Sequence, residues 1–266
     1  MSFITQFAHF DSNNAQYTLT QNNTTGNNSN PYNAKFLMNQ SFNRIQRVYL
    51  KSLELPQGFS NIRTGATDTL KFILNGTSYK VTLAEKYYNT ISSLVSDLNT
   101  ACVGVVSGVT ITFSITVSST TPYRLQIAFS GGTTTSSFAI IDTNLSKYAL
   151  GFRAAKDTLL GGVYAATYSN YNLSFDNYIT MYIPSLNGMN ANMGSAQGTF
   201  KIPLNSATNQ VYYYFESTSF SQFVDITDKS LVLSSLQVTL YDRFGCNLNP
   251  MGLDYSFSLA IELWRD

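Results

Sequence analysis

Apolar residues fall on every second position over four long stretches: Val109, Ile111, Phe113, Ile115 and Val117; Tyr123, Leu125, Ile127 and Phe129; Phe200, Ile202 and Leu204; and Tyr255, Phe257, Leu259, Ile261 and Leu263. Mostly Thr, Ser and Gln lie between them in the first two stretches. A period of two with polar neighbours predicts antiparallel strands that bury one face. A further strand over 44–55 carries Val48 and Leu50 on one parity and Leu53 and Leu55 on the other. Its inward face therefore switches near Lys51, which predicts a bulge or bend there. Pro56 ends the strand. One helix is predicted within 85–102, where Ile91, Leu94, Val95, Leu98 and Cys102 recur at three-and-four spacing.

The helix has a strand pair on each side, 69–74 with 79–83 before it and 109–117 with 123–129 after it. That order makes a compact α+β unit. Outside it, 36–55 and 177–263 read as strands only. The predicted architecture is mainly β: a β-sandwich built from 34–66 and 156–266, interrupted by an inserted α+β subdomain at 67–155. Residues 1–33 are read as an N-terminal arm and linker, because 21–31 contains no apolar residue and is rich in Asn, Thr and Gly.

Composition narrows the function. At 266 residues the chain has room for one large or two modest domains. Charged residues are 12%, about half the usual share, so the surface is polar but nearly uncharged. The net charge is +1 with no basic cluster, which argues against nucleic acid as the main partner. There is no basic segment followed by an apolar one at the start, and no apolar run of about 18 residues. Neither an ordinary secretion signal nor direct membrane insertion is expected. Sequons at Asn22, Asn75 and Asn172 read as chance in so Asn/Thr-rich a chain.

The inventory for catalysis is thin. Gly194-Ser195-Ala196-Gln197-Gly198 places its serine one position early for a nucleophile elbow, and no phosphate loop, dinucleotide fingerprint or EF-hand loop is present. The single histidine, His9, lies in the presumed arm and lacks the fixed geometry of a base. Cys102 and Cys246 read as reduced, buried small hydrophobes, too few with one histidine for a metal site. Asp225 with Asp228 and Asp242 with Asp254 are the carboxylate pairs that sugar chemistry would need. At the two mouths of the last inter-strand connection, with Gly245 and Gly252 nearby, Asp242 and Asp254 read better as turn formers. The expectation is a protein that is not an enzyme and holds no cofactor or metal.

Aromatic residues supply the remaining candidate. In Val211-Tyr212-Tyr213-Tyr214-Phe215, alternation sends Val211, Tyr213 and Phe215 to one face and Tyr212 with Tyr214 to the other. If the second face is open, Tyr212 and Tyr214 are a candidate interface for another subunit or a glycan. Burial of both inside the chain is the alternative.

Several segments resemble a known family. Leu236-Gln237-Val238-Thr239-Leu240-Tyr241-Asp242-Arg243-Phe244-Gly245 with Gly252-Leu253-Asp254-Tyr255-Ser256-Phe257-Ser258-Leu259-Ala260-Ile261-Glu262 is similar to the closing hairpin of jelly-roll penton and minor capsid proteins. These come from large icosahedral DNA viruses and virophages whose major capsid protein is a double jelly roll. Arg47-Val48-Tyr49-Leu50-Lys51-Ser52-Leu53-Glu54-Leu55-Pro56 resembles their first long strand. The helix region 88–99 and Leu150-Gly151-Phe152 resemble the inserted module some of them carry. The 21–31 tract and 186–199 do not match the pattern. The resemblance implies a single jelly roll and a structural virion protein, a penton forming homopentamers at the vertices. It implies contact with major capsid protein trimers and other minor capsid proteins, and assembly in the host cell. Another minor capsid position, or a glycan- or receptor-binding β-sandwich, remains an alternative.

Overall fold

The computed structural model describes residues 3–17, 33–56, 58–116, 123–131, 137–153, 159–160, 163–166, 169–174, 177–186, 191–193, 196–204, 211–216, 222–228, 230–248 and 254–264. Tertiary contacts divide the chain into two units, Met1–Phe59 with Asp176–Asp266, and Ser60–Phe175. Each is described by itself.

The first unit opens with β1 (Phe3–Asp11), β2 (Asn33–Phe42) and β3 (Ile45–Pro56). The second unit contains β4 (Thr69–Leu74), β5 (Thr77–Thr82), α1 (Ile91–Cys102), β6 (Thr110–Thr116), β7 (Arg124–Ser130), β8 (Phe138–Ile141) and β9 (Val163–Ala165). The chain then completes the first unit with β10 (Tyr178–Tyr182), β11 (Phe200–Pro203), β12 (Val211–Phe215), β13 (Phe223–Asp225), β14 (Leu233–Tyr241) and β15 (Ser256–Trp264).

In the first unit one sheet runs β1-β15-β3-β12, with β13 pairing the same edge of β3, and the other runs β11-β10-β14-β2, extended by Gln16–Tyr17. All these pairs are antiparallel. With β12 and β13 counted as one strand position there are eight. The first, eighth, third and sixth form one sheet and the second, seventh, fourth and fifth the other, which is jelly-roll topology. A single hydrophobic cluster between the sheets draws on Phe10, Phe36, Leu53, Met181, Leu236 and Phe257 among others, and among the described residues contains none from 60–175.

The arm assigned to 1–33 is corrected in its first part. Phe3–Asp11 is a sheet strand, paired with β15 over nine residues from Phe3↔Trp264 to Asp11↔Ser256. Phe10 turns inward and stacks on Phe257 at 4.8 Å. Both faces of this strand carry apolar residues, so alternation gave no strand signal. The Asn/Thr-rich tract itself, within 18–32, lies outside the described residues, as do Val117, Gly194, Ser195, Gly252 and Leu253.

The face switch expected in β3 is present. Register against β15 slips between Ser258↔Ser52 and Leu259↔Leu50, leaving Lys51 as the extra residue. A second slip leaves Gln46 extra, between Arg47↔Glu262 and Ile45↔Leu263. Both bulged carbonyls accept bonds from the neighbouring edge, Lys51 O from Glu216 N–H and Gln46 O from Ile226 N–H, each at 2.8 Å. The bulges let Ile45, Val48, Leu50, Leu53 and Leu55 all point inward.

The second unit is a small α+β core of two sheets, β5-β4-β8 and 159–160-β9-β7-β6. Phe138 joins them, with ring centroids 5.5 Å from Phe72, 4.6 Å from Phe129 and 4.9 Å from Tyr164. The helix starts at Ile91, where the Thr90 hydroxyl accepts the Ser93 N–H, and buries Ile91, Leu94, Leu98 and Cys102. Asn99 clasps the Phe113 backbone through both amide atoms, at 2.7 and 3.1 Å. β4 and β5 meet in a two-residue turn, Asn75-Gly76, with φ of 47° and 81°, the positive-φ pair of a type I′ hairpin.

The sequence boundaries at 67 and 155 fall inside this unit. Upstream, the Asn61 side chain grips the Tyr88 backbone by donating to its carbonyl and accepting its N–H, both at 2.9 Å. Downstream, the Asn172 N–H donates to Ala149 O at 2.8 Å. Gly151 lies between these contacts at φ +79°, and a Cβ there would stand 2.6 Å from Asn170 O. Only glycine fits that approach.

Since the sandwich core uses no described side chain from 60–175, replacing those residues with a short Gly/Ser linker should leave a folded all-β remainder. Circular dichroism and a cooperative melt check this. An unfolded remainder beside a stable full chain would show that the sandwich depends on the second unit.

Candidate interaction surface

Among the described residues, carboxylates do not assemble a catalytic pair. Asp242 is fully buried, and its Oδ1 accepts the N–H groups of Phe244 at 2.7 Å and Cys246 at 2.9 Å. This is the turn-forming role expected for it. Asp254 accepts the Ser12 hydroxyl at 3.2 Å, and that oxygen accepts the Tyr255 N–H at 2.8 Å. Asp225 accepts Arg47 Nε at 2.6 Å, whereas Asp228 accepts the Ser230 N–H and hydroxyl. His9 is not in a loose arm but on β1, with Nδ1 3.0 Å from the Ser258 hydroxyl. No group of three or more potential metal ligands occurs among the described residues.

Cys102 is buried in α1, and burial pushes its thiol up to about 11. Cys246 is half-buried rather than buried, because the turn held by Asp242 lies at the surface. In the second unit Lys86 and the Tyr88 hydroxyl both donate to Asp97 Oδ2, at 2.9 and 2.8 Å. The Lys86 bond, then the Tyr88 bond, holds the Asp97 carboxyl below its ordinary range. Burial and that carboxylate raise the Tyr88 phenol. The trio braces α1 and brings no nucleophile with it.

The Tyr212 and Tyr214 assignment is corrected. They pair with Leu55 and Leu53 of β3 and are buried with them in the sandwich core. Directly paired residues share a face, so the inward row of β3 carries both tyrosines inside. Burial raises both phenols. The open face of β12 is the other one: Val211 is 41%, Tyr213 56% and Phe215 67% exposed.

That face continues across the whole sheet. Pairing aligns Phe7 with Ala260, Ala260 with Tyr49 and Tyr49 with Phe223, a row that crosses four strands on the outer side. Of the eleven exposed large apolar side chains among the described residues, six lie on this outer face: Phe3, Phe7, Val211, Tyr213, Phe215 and Phe223. They gather at its two margins. Phe3 and Phe7 lie on β1, with the Phe3 ring 5.5 Å from Trp264. Val211, Tyr213, Phe215 and Phe223 lie on β12 and β13, and the rings of Tyr213 and Phe215 stand parallel at 6.4 Å.

Comparison with family models and with curated proteins finds no match. Among solved structures, the mavirus penton protein is similar. The likeness covers 98% of this chain and 99% of that one, at 11% sequence identity and a TM-score of 0.45.

Between the apolar margins Ala260 is fully buried and Tyr49 half-buried, and the charged side chains Arg47 and Lys51 are paired within the chain. Arg47 reaches Asp225 and lies 4.3 Å over the Phe223 ring, and Lys51 donates to Glu216 while lying 5.1 Å over Tyr49. These charges are satisfied within the chain. What the face offers a partner is aromatic surface at two separate edges, with little net charge.

Proposed function

We propose that this protein is a structural subunit of a virion shell: a penton that forms homopentamers at icosahedral vertices and contacts major capsid protein trimers and other minor capsid proteins. The observation that carries the reading is the exposed aromatic surface at two unlike margins of one jelly-roll sheet. A ring about a five-fold axis needs two different patches that fit each other and close after five copies. Interface cores are depleted in charge and enriched in aromatic residues, and both margins have that character. The strings that resemble the closing hairpin and the first long strand of penton proteins lie on β3, β14 and β15, interior strands of the sandwich. In this role the chain is not an enzyme, and its place is the assembled particle.

A density map of the particle tests the reading, with the sandwich expected at the five-fold vertices. Density confined to the flat facets would make it another minor capsid protein. The parallel Tyr213 and Phe215 rings favour one further reading, a platform for sugar stacking. Specific signal on a glycan array, with the chain absent from the particle, would replace the capsid role by receptor binding. Turnover of glycoside, ester or phosphoester substrates lost on Asp242→Asn or Asp254→Asn would overturn the non-catalytic reading.

A further inference from the structure

We infer that copies of this chain join head to tail through the outer sheet face, the β1 margin of one copy (Phe3, Phe7) seating against the β12 and β13 margin (Val211, Tyr213, Phe215, Phe223) of the next. The inference rests on the penton reading only for the number of copies in the ring.

The two margins are opposite edges of the same sheet, since β1 and β12 end the order β1-β15-β3-β12. Their outer edges carry no strand partner among the described residues. Exposed sheet edges are ordinarily guarded by Lys, Pro or a bulge, because their open backbone groups pair with other chains. Here Phe3–Phe10 and Val211–Phe215 contain no Lys, Arg or Pro, and β1 keeps an unbroken nine-residue register with its inner neighbour. Among the described residues both edges are open to pairing.

A second copy is the occupant these edges fit. The margins match in chemistry, neutral aromatic against neutral aromatic, so neither would bury an unpaired charge of the other. They differ in shape and position, which favours a heterologous contact over a two-fold one. At about 200 Å² for a large aromatic side chain, the exposed fractions of the six residues amount to roughly 600 Å² of apolar surface. With apolar atoms at about 60% of an interface, that corresponds to roughly 1,000 Å² in total, the lower bound for a specific contact. The junction is thus sufficient to form and weak enough to benefit from closing a ring.

The test uses the full chain and two variants, Phe7→Glu and Phe215→Glu. Both residues are well exposed, at 72% and 67%, so each variant should keep the wild-type melt. Sedimentation from micromolar to millimolar concentration should show wild-type assembly, and each variant alone should associate at least about tenfold more weakly. An equimolar mixture should regain association and stop at pairs, because the intact β12 margin of Phe7→Glu meets the intact β1 margin of Phe215→Glu. Wild type that stays monomeric throughout, variants that still assemble, or a mixture no better than its components would each overturn the inference. Rings of three or six copies lost through both substitutions would support it and remove the vertex reading. A pentamer indifferent to both would do the reverse.

Discussion

Removing residues 1–11 should leave a chain that does not fold, although their position and mixed pattern suggest a dispensable arm. Phe3–Asp11 forms the first strand of the jelly roll, and its loss would strip β15 of nine paired residues along one edge. β15 is otherwise an interior strand, with the row Tyr255, Phe257, Leu259 and Ile261 buried. The deletion also removes Phe10, whose ring lies 5.5 Å from Phe36 and 4.8 Å from Phe257. Truncating that ring alone should cost about 3–5 kcal/mol, against a total stability of roughly 5–15 kcal/mol for a domain. Near-ultraviolet circular dichroism and thermal melting of the truncated chain check the expectation. A cooperative melt close to that of the full chain would show that β1 is peripheral.

The elements legible in the sequence are those whose two faces meet different surroundings. β15 alternates because one face packs on the core and the other carries Ser256, Ser258 and Glu262. α1 shows its stripe for the same reason, and Leu53 against Leu50 betrays the bulge at Lys51. β1 was illegible because both of its faces are apolar: Phe10 enters the core while Phe3 and Phe7 stand on the open outer surface. The second bulge at Gln46 is hidden in the sequence, because Ile45 and Val48 fall on opposite parities and only the extra residue joins them in one inward row. Asn75-Gly76 belongs to a sequon, yet Asn-Gly between two apolar runs is itself a hairpin signal.

The candidate surface was half legible. Alternation separated Val211, Tyr213 and Phe215 from Tyr212 and Tyr214 correctly, but could not say which set faces water. Hydropathy favours burying Val and Phe and exposing Tyr. Register overrides it: Tyr212 lies opposite Leu55 and Tyr214 opposite Leu53, both wholly buried. The facing strand, distant in sequence, decides the face. The same misfit between hydropathy and exposure leaves phenylalanine in water on two sheet margins, the aromatic surface on which the proposed contact between copies rests.

Phe257→Ala should be the most damaging single substitution in the sandwich, costing about 3–5 kcal/mol. The side chain is fully buried and, with Phe10 and Tyr255, is one of three rings that meet Phe36 of the other sheet. It stacks on Phe10 from β1 and meets Phe36 of β2 edge to face at 5.2 Å, while Phe36 also lies 6.4 Å from Tyr255. Collapse of neighbours into the vacated space is opposed from both sides, because β15 is held between β1 and β3 and cannot shift toward either. Denaturant unfolding of the single and double variants with Phe10→Ala would separate the pair's own contribution from the cavity. Stacked rings contribute about 0.5–1.5 kcal/mol beyond area burial, so the double variant should lose less than the two single losses combined by about that amount. A single-variant loss below roughly 1 kcal/mol would mean that the site collapses freely. Strict additivity would mean that the two rings do not pack together in solution.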